Sequence, residues 1–241
     1  MDKFDQVIAH IPARASSKRV RSKNLRLMAG EPMLAYAVRA ALGCTELPRV
    51  YVNTDSEEIA ALGKDLGALV YRRPAELASD TASSDDFNLD MIERFQPDTL
   101  VMINPVCPLI ESSDIVAALM AYGEADVDTL ITSSTTHMQC FHEDLPVNTD
   151  ADAPLAPSQE NTPVHICNWA ITIWDAHKFR ERMHRKGHAV FGEKRLLFPI
   201  APPKGLKAST EEDFRMIEAI LEGRRHSRAV DNIAYWSRSS S

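Results

Sequence analysis

Short apolar runs rich in β-branched residues recur along this chain, each followed by a segment with helical spacing, and this alternation constrains the fold more than any other feature. The runs are VIAHI at 7–11, RVYVNTD at 49–55, ALVYR at 68–72, TLVMIN at 99–104, VDTLITSS at 127–134, NWAITIW at 168–174 and RLLFPIA at 195–201. Between them lie MLAYAVRAAL, whose Leu34, Ala37, Val38 and Ala41 share one helical face, and EEIAALGKDLG, with Asp55 or Ser56 as cap and Gly67 as stop. FNLDMIERF, SSDIVAALMAYG, the basic AHKFRERMHRKG and STEEDFRMIEAILEG complete the helical set, the last opening with Ser or Thr before acids as a capped helix should. Alternation this regular predicts an α/β fold, a mostly parallel sheet with helices on both faces. A single domain is expected over residues 1–228, with a polar, Pro-rich excursion at about 137–165 and a C-terminal tail over 229–241. The excursion is expected to be a loop or a small hairpin.

The charge balance narrows the functions available. With 27 Lys and Arg against 34 Asp and Glu, the net charge of −7 argues against a general nucleic-acid binder and against adhesion to anionic membranes. No stretch has the order of a signal peptide or approaches the roughly 20 apolar residues of a bilayer span, so a cytoplasmic location is expected. Cys44, Cys107, Cys140 and Cys167 lie far apart and read as free thiols rather than disulfides. Against this acidic background, PARASSKRVRSKNLRLMAGEPM at 12–33 gathers Arg14, Lys18, Arg19, Arg21, Lys23 and Arg26 with no acid before Glu31. It is the loop after the first strand, where open α/β sheets bind ligands. The loop lacks both the Lys-Ser/Thr ending of a Walker A motif and the three glycines of a dinucleotide site. Its small residues Ala13, Ala15, Ser16 and Ser17 let backbone N–H groups approach an anion, while Arg14 and Lys23 supply charge; a polyphosphate fits. From charge alone, a solvated basic loop is the alternative.

The same letters resemble the opening signature of the acylneuraminate cytidylyltransferase (CMP-sialic acid synthetase) family, in which A-R-x-x-S-K is followed by K-N and then G-x-P-L. VNTDSEEIA and RRPAELASDTASS resemble that family's next strand and loop almost letter for letter. The resemblance is strong over 7–120, persists as an element pattern to about 222, and is weak in the excursion. It implies a Rossmann-like fold of the nucleotide-diphospho-sugar transferase type and transfer of CMP from CTP to a sugar acid, with pyrophosphate leaving. It implies that Arg14, Ser17 and Lys23 hold the triphosphate, with Ala13 beside them, and that Asn24, Arg73, Ala82 and Ser84 surround the cytidine. Arg14 and Lys23 are then the candidate catalytic residues, Mg²⁺ the expected cofactor, and a homodimer exchanging its excursions the expected assembly, without nucleic acid or membrane partners.

The departures from the family pattern matter as much. Near the sugar pocket, NPVCPLI at 104–110 puts Asn104 and Ile110 where the family has a longer amide and an arginine, and ICNWAIT at 166–172 loses an arginine at Ile166 and sets Trp169 in place of a glycine. LKASTEEDF at 206–214 carries Lys207 and Ser209 at the positions of the family's two Mg²⁺-binding aspartates, leaving Asp213 as the remaining acid in register. These replacements raise an alternative, a catalytically weak or inactive family member that binds nucleotide or sugar phosphate. A third reading comes from HMQCFH at 137–142 and HIC at 165–167, whose His and Cys residues could clasp zinc in an interaction domain. Trp169 and Trp174 read as core and pocket wall rather than a platform for single-stranded nucleic acid, because the required basic groove is missing.

Overall fold

The first apolar run becomes strand β1 (Val7–Pro12), buried along almost its whole length, as a strand covered on both faces must be. A computed structural model of the chain describes residues 6–15, 20 and 22–226. All seven sequence runs form strands: β1, β2 (Val50–Thr54), β3 (Leu69–Arg72), β4 (Thr99–Ile103), β5 (Thr129–Thr136), β6 (Val164–Asp175) and β7 (Arg195–Pro199). They pair in the order β7-β5-β6-β4-β1-β2-β3, and β6 alone runs antiparallel to its neighbours β4 and β5. The chain builds β1, β2 and β3 outward on one side and then returns to place β4 on the other side of β1. That reversal opens a crevice beyond the carboxyl ends of β1 and β4, the place where such sheets take ligands.

Helices cover both faces. On one, α1 (Met33–Leu42), α2 (Glu57–Asp65) and α4 (Ser112–Glu124) bury Leu34, Val38, Ile59, Ile115 and Leu119 against Val7, Ile11, Val52, Val101 and Ile173. On the other, α3 (Ser84–Phe95) and α5 (Ala176–Lys186) press Met91, Ile92 and Phe179 onto Ile8, Leu100 and Trp174. The helix α6 (Glu211–His226) packs Phe214, Ile217 and Leu221 beside the short ribbon of Leu27–Met28 and Glu31–Pro32, forming a third apolar cluster with Met28, Met33 and Leu109. Ser56 caps α2 through the N–H of Ile59, and Ser83 with Asp86 forms a capping box on α3. Asp55, the other cap expected for α2, instead accepts the N–H of Ala15 at 2.9 Å and so fixes the start of the basic loop.

The excursion leaves the sheet after β5 and returns with β6, carrying a small hairpin, Phe141–His142 against Leu145–Pro146, and one 3₁₀ turn at Ser158–Glu160. Among the described residues no helix is long and apolar enough to cross a membrane. The tail over 229–241 lies outside the described residues.

Candidate active site

The crevice at the strand ends is a cleft of about 1100 Å³. Its lining includes the polar and basic side chains of Arg14, Lys23, Asn24, Arg73, Ser84 and Lys207. It also includes the apolar and aromatic side chains of Phe87, Met102, Trp169, Trp174, Val190 and Phe191, with Arg73 lying over Phe87. Asn104, just past β4, and His188 lie among these lining residues.

The basic side chains are held by specific contacts. Arg14 Nη1 reaches the carboxylate of Asp80 at 3.1 Å and the carbonyl of Ser79 at 3.3 Å. Lys23 Nζ donates to the Ala208 carbonyl at 2.9 Å, joining the basic loop to the segment before α6, and Asn24 Nδ2 donates to the Arg14 carbonyl at 3.2 Å. Arg26 turns away from the cleft, pairing with Glu211 at 2.6 Å and lying 4.2 Å over the Phe214 ring, so part of the loop's charge secures α6.

Arg73 is the most constrained cation of the group. Its Nε donates to Asn53 Oδ1 at 2.8 Å, its Nη2 to the Asn53 carbonyl at 3.0 Å, and its guanidinium lies 4.6 Å over the Phe87 ring. Burial lowers its pKa to about 10, with Asp55 opposing that shift, so it stays charged at neutral pH. Because Arg73 claims Asn53 Oδ1, the Asn53 amide nitrogen must face His10, and it meets His10 Nδ1 at 3.3 Å. A donor in that position requires an unprotonated Nδ1. Burial first, and the Arg73 charge second, lower the His10 pKa from 6.5 to about 3, with Asn88 partly opposing.

Trp169 enters the lining through an irregularity in β6. Its pairing with β5 slips between Cys167 and Thr172, and within the slip Trp169 adopts φ 57°, a left-handed conformation that costs a non-glycine residue about 1–2 kcal/mol. The bulge is pinned by Asn168, whose Oδ1 accepts the Thr132 hydroxyl at 2.7 Å and whose Nδ2 donates to Ser134 Oγ at 3.2 Å. Gly205 lies so close that a Cβ there would come within 2.4 Å of Asn168 Nδ2.

The structure thus gathers Arg14, Lys23, Asn24, Arg73, Ser84, Asn104, Trp169 and Lys207 around one cleft. Ala13, buried at the end of β1, and Ala82, in the loop before α3, adjoin it without lining it. Ser17 lies outside the described residues. Ile110 is buried in the core and Ile166 is exposed; neither lines the cleft, so of the replaced sugar-pocket positions only Asn104 and Trp169 face it. Sequence reasoning missed Phe87, His188, Val190 and Phe191 as lining residues, and missed the His10–Asn53 support behind Arg73. His10 had left a trace, as the single polar residue in VIAHI.

The zinc expectation fails on geometry. Among the described residues no group of three His, Cys, Asp or Glu is placed to hold a metal ion. The zinc clasp is therefore not assembled: His137 Nδ1 lies 2.9 Å from the Asn161 carbonyl, the Cys140 thiol donates to Met138, and His165 Nδ1 lies 3.1 Å from Ser133 Oγ. Asp213 Oδ2 accepts the N–H groups of Ser209 at 3.0 Å and Thr210 at 2.8 Å as the cap of α6, and Asp213 is not among the residues that line the cleft. With an ammonium at Lys207 and a hydroxyl at Ser209, the donor set does not suit Mg²⁺, which favours carboxylate oxygens.

A family model described as cytidylyltransferase matches residues 8–168, a span that carries most of β1, the basic loop, Arg73 and β4 and ends one residue before Trp169. The chain belongs to the cytidylyltransferase family. It is 34% identical over 131 residues to the N-acylneuraminate cytidylyltransferase of Escherichia coli, a match covering 54% of this chain and 31% of that protein. It is 37% identical over 109 residues to the CMP-N,N'-diacetyllegionaminic acid synthase of Legionella pneumophila, covering 43% of this chain and 47% of that protein. To the post-translational flagellin modification protein B of Campylobacter coli it is 27% identical over 231 residues, 91% of this chain and 96% of that one. The chain thus spans less than half the length of the first and second of these relatives and nearly all of the third. Among solved structures, a CMP:2-keto-3-deoxy-manno-octonic acid synthetase complexed with CTP superposes with a TM-score of 0.67 at 14% identity, over 91% of this chain and all of that one. That likeness shows the Rossmann-like fold.

Proposed function

We propose that the chain transfers CMP from CTP to a sugar acid, with release of pyrophosphate. The observation that carries this reading is the convergence of Arg14, Lys23, Asn24, Arg73 and Ser84 at the switch-point cleft, in a chain whose net charge is otherwise negative. The names of the relatives, an N-acylneuraminate cytidylyltransferase and a CMP-N,N'-diacetyllegionaminic acid synthase, support the sugar-acid class. In this reading an acceptor hydroxyl oxygen attacks the α-phosphorus, the bond to the bridging oxygen breaks, pyrophosphate departs, and the hydroxyl proton passes to solvent. Arg14 and Lys23 neutralise the triphosphate, Arg73 and Asn24 hold the cytidine end, and Asn104 and Trp169 face the acceptor. The work is positioning and charge neutralisation, which is most of what phosphoryl transfer asks of a protein.

A second reading rests on Lys207 and Ser209. Without the two carboxylates, nucleotide binding persists while turnover is slow, and no step is assigned here to a metal. We place the reaction in the cytoplasm, with CTP. We propose a homodimer joined through the excursion, where Met138, Phe141, Leu145 and Val147 are exposed apolar side chains.

Calorimetry with each of the four nucleoside triphosphates, followed by pyrophosphate release across a panel of sugar acids, tests the proposal. CTP is expected to bind preferentially and without a requirement for magnesium. A parent protein that binds none of the four overturns it, and CTP binding without any pyrophosphate release favours the second reading.

A further inference from the structure

We propose that the cleft takes its nucleotide as the free triphosphate anion, with Lys207 as the residue that selects this form, so that Mg²⁺ opposes nucleotide binding rather than assisting it. This rests on the nucleotide reading of the cleft and deepens it by naming the ionic form of the ligand.

Three observations carry it. First, the charge that lines the cleft is one-sided. Among the described lining residues Arg14, Lys23, Arg73 and Lys207 are cations, and Asp85 is the single carboxylate. Asp85 Oδ1 already accepts the N–H groups of Ala189 at 2.5 Å and Val190 at 2.8 Å. A magnesium ion beside phosphates is held through protein carboxylates and is repelled by ammonium and guanidinium groups nearby. Second, Lys207 is delivered on a fixed backbone. The Ala208 N–H donates to the Val106 carbonyl at 2.8 Å, the Lys207 carbonyl accepts the Ser209 N–H at 2.8 Å, and the Leu206 N–H donates to the Pro203 carbonyl at 2.9 Å. Val106 lines the cleft beside it. Lys207 is half-buried, and among the described residues no carboxylate pairs with it. Third, a second ammonium group is held close by. Lys23 Nζ donates at 2.9 Å to the carbonyl of Ala208, the residue that follows Lys207. Both lysine charges act on the buried Cys107 thiol, opposing the burial that pushes it up to about 12.

The preference follows from electrostatics. Cations gathered in one cleft repel one another, and that repulsion is relieved in proportion to the negative charge that enters. Free CTP brings the whole charge of its triphosphate. Mg²⁺ bound to the same phosphates cancels much of that charge and occupies oxygen lone pairs to which the lysines would otherwise donate. The cleft therefore gains less from the magnesium complex than from the free anion, and it has no second carboxylate in its described lining with which to recover the difference.

The test is calorimetry with CTP in EDTA and in excess Mg²⁺, at matched ionic strength, on the parent and on variants of Lys207. The parent is expected to bind free CTP about tenfold or more tightly than CTP with Mg²⁺, the scale of one charge-assisted hydrogen bond. CMP, whose lone phosphate holds Mg²⁺ weakly, should show little change, which assigns the effect to the triphosphate. Lys207→Met should lose most of the preference, weakening free CTP by about tenfold and leaving the magnesium complex within about twofold, while Lys207→Arg keeps it. Lys207→Gln repeats the test should Lys207→Met fold poorly. Lys186→Met removes the same charge from a residue that pairs with Glu193 and does not line the cleft, and should leave the preference intact. Equal or tighter binding with Mg²⁺ by a parent that binds CTP overturns this inference alone, as does a preference that survives the loss of the Lys207 charge or falls equally in Lys186→Met. A parent that binds no CTP in either condition overturns the nucleotide reading and the inference with it.

Discussion

Acid should unfold this protein earlier than its carboxylates alone would require, because His10 is buried in a setting that accepts only its neutral form. The ring has no exposed surface, its Nδ1 faces the Asn53 amide nitrogen at 3.3 Å, and the Arg73 charge lies beyond. With a pKa of 6.5 in the unfolded chain and about 3 in the folded one, the unfolded state binds the extra proton first. Stability from this group is complete above about pH 6.5, and is lost as the pH falls toward about 3. Integrating the linkage between these two values gives a loss of about 2 kcal/mol between pH 7 and pH 5. Urea unfolding of the parent and of His10→Leu at both pH values isolates this share, since all other titrating groups are common to the two proteins. The parent should lose about 2 kcal/mol more than the variant over that interval. Equal losses in the two proteins would refute the reasoning. If His10→Leu fails to fold, the parent's His10 ring signals by NMR carry the test: they should stay unshifted down to pH 4, and a midpoint near the ordinary value refutes it.

Two further outcomes address the nucleotide. Arg14→Ala should weaken CTP binding by about 1.5–3 kcal/mol, the usual range for a charge-assisted hydrogen bond, and unchanged affinity by calorimetry removes Arg14 from the phosphate site. The double variant Lys207→Asp, Ser209→Asp should gain magnesium-dependent pyrophosphate release over the parent; a parent already brisk with magnesium and a variant that gains nothing would show that the missing acids do not limit turnover.

Local pattern carried the fold. The strands repeat buried residues over a few positions and the helices repeat them at 3.6, so all seven runs and all six helical segments could be read without knowing what packs against what. The antiparallel sense of β6 could not be read that way, because direction in a sheet depends on where the connection lands. The excursion is what lets β6 return beside β5 reversed. The same division runs through the site. Arg14, Lys23 and Asn24 stand in one contiguous loop, whereas Phe191 reaches Trp169 only because Asp85, over a hundred residues earlier, ties its loop to the start of α3. Asn53 reads as one polar residue in a strand, and its role in aligning Arg73 against His10 exists only once β1 and β2 pair side by side.

The basic loop shows how an acidic protein can concentrate positive charge at one site for an anion. Arg14, which faces the cleft, rests on a partner that is easy to leave. The Arg14–Asp80 pair is exposed on both sides, with side chains 37% and 49% accessible, and pairs of that kind contribute about 0–1 kcal/mol. Lys23 donates to the Ala208 carbonyl, and Arg73, outside the loop but in the same cleft, donates to Asn53 and lies over the Phe87 ring. By contrast, Arg26 meets Glu211 closely and packs on Phe214, and it does not line the cleft. Within the loop, Arg26 thus secures α6 through Glu211, while the exposed Arg14–Asp80 pair is one that a triphosphate can replace with stronger contacts. In that arrangement Lys207 adds a further positive charge to the cleft lining, which favours holding a polyanion.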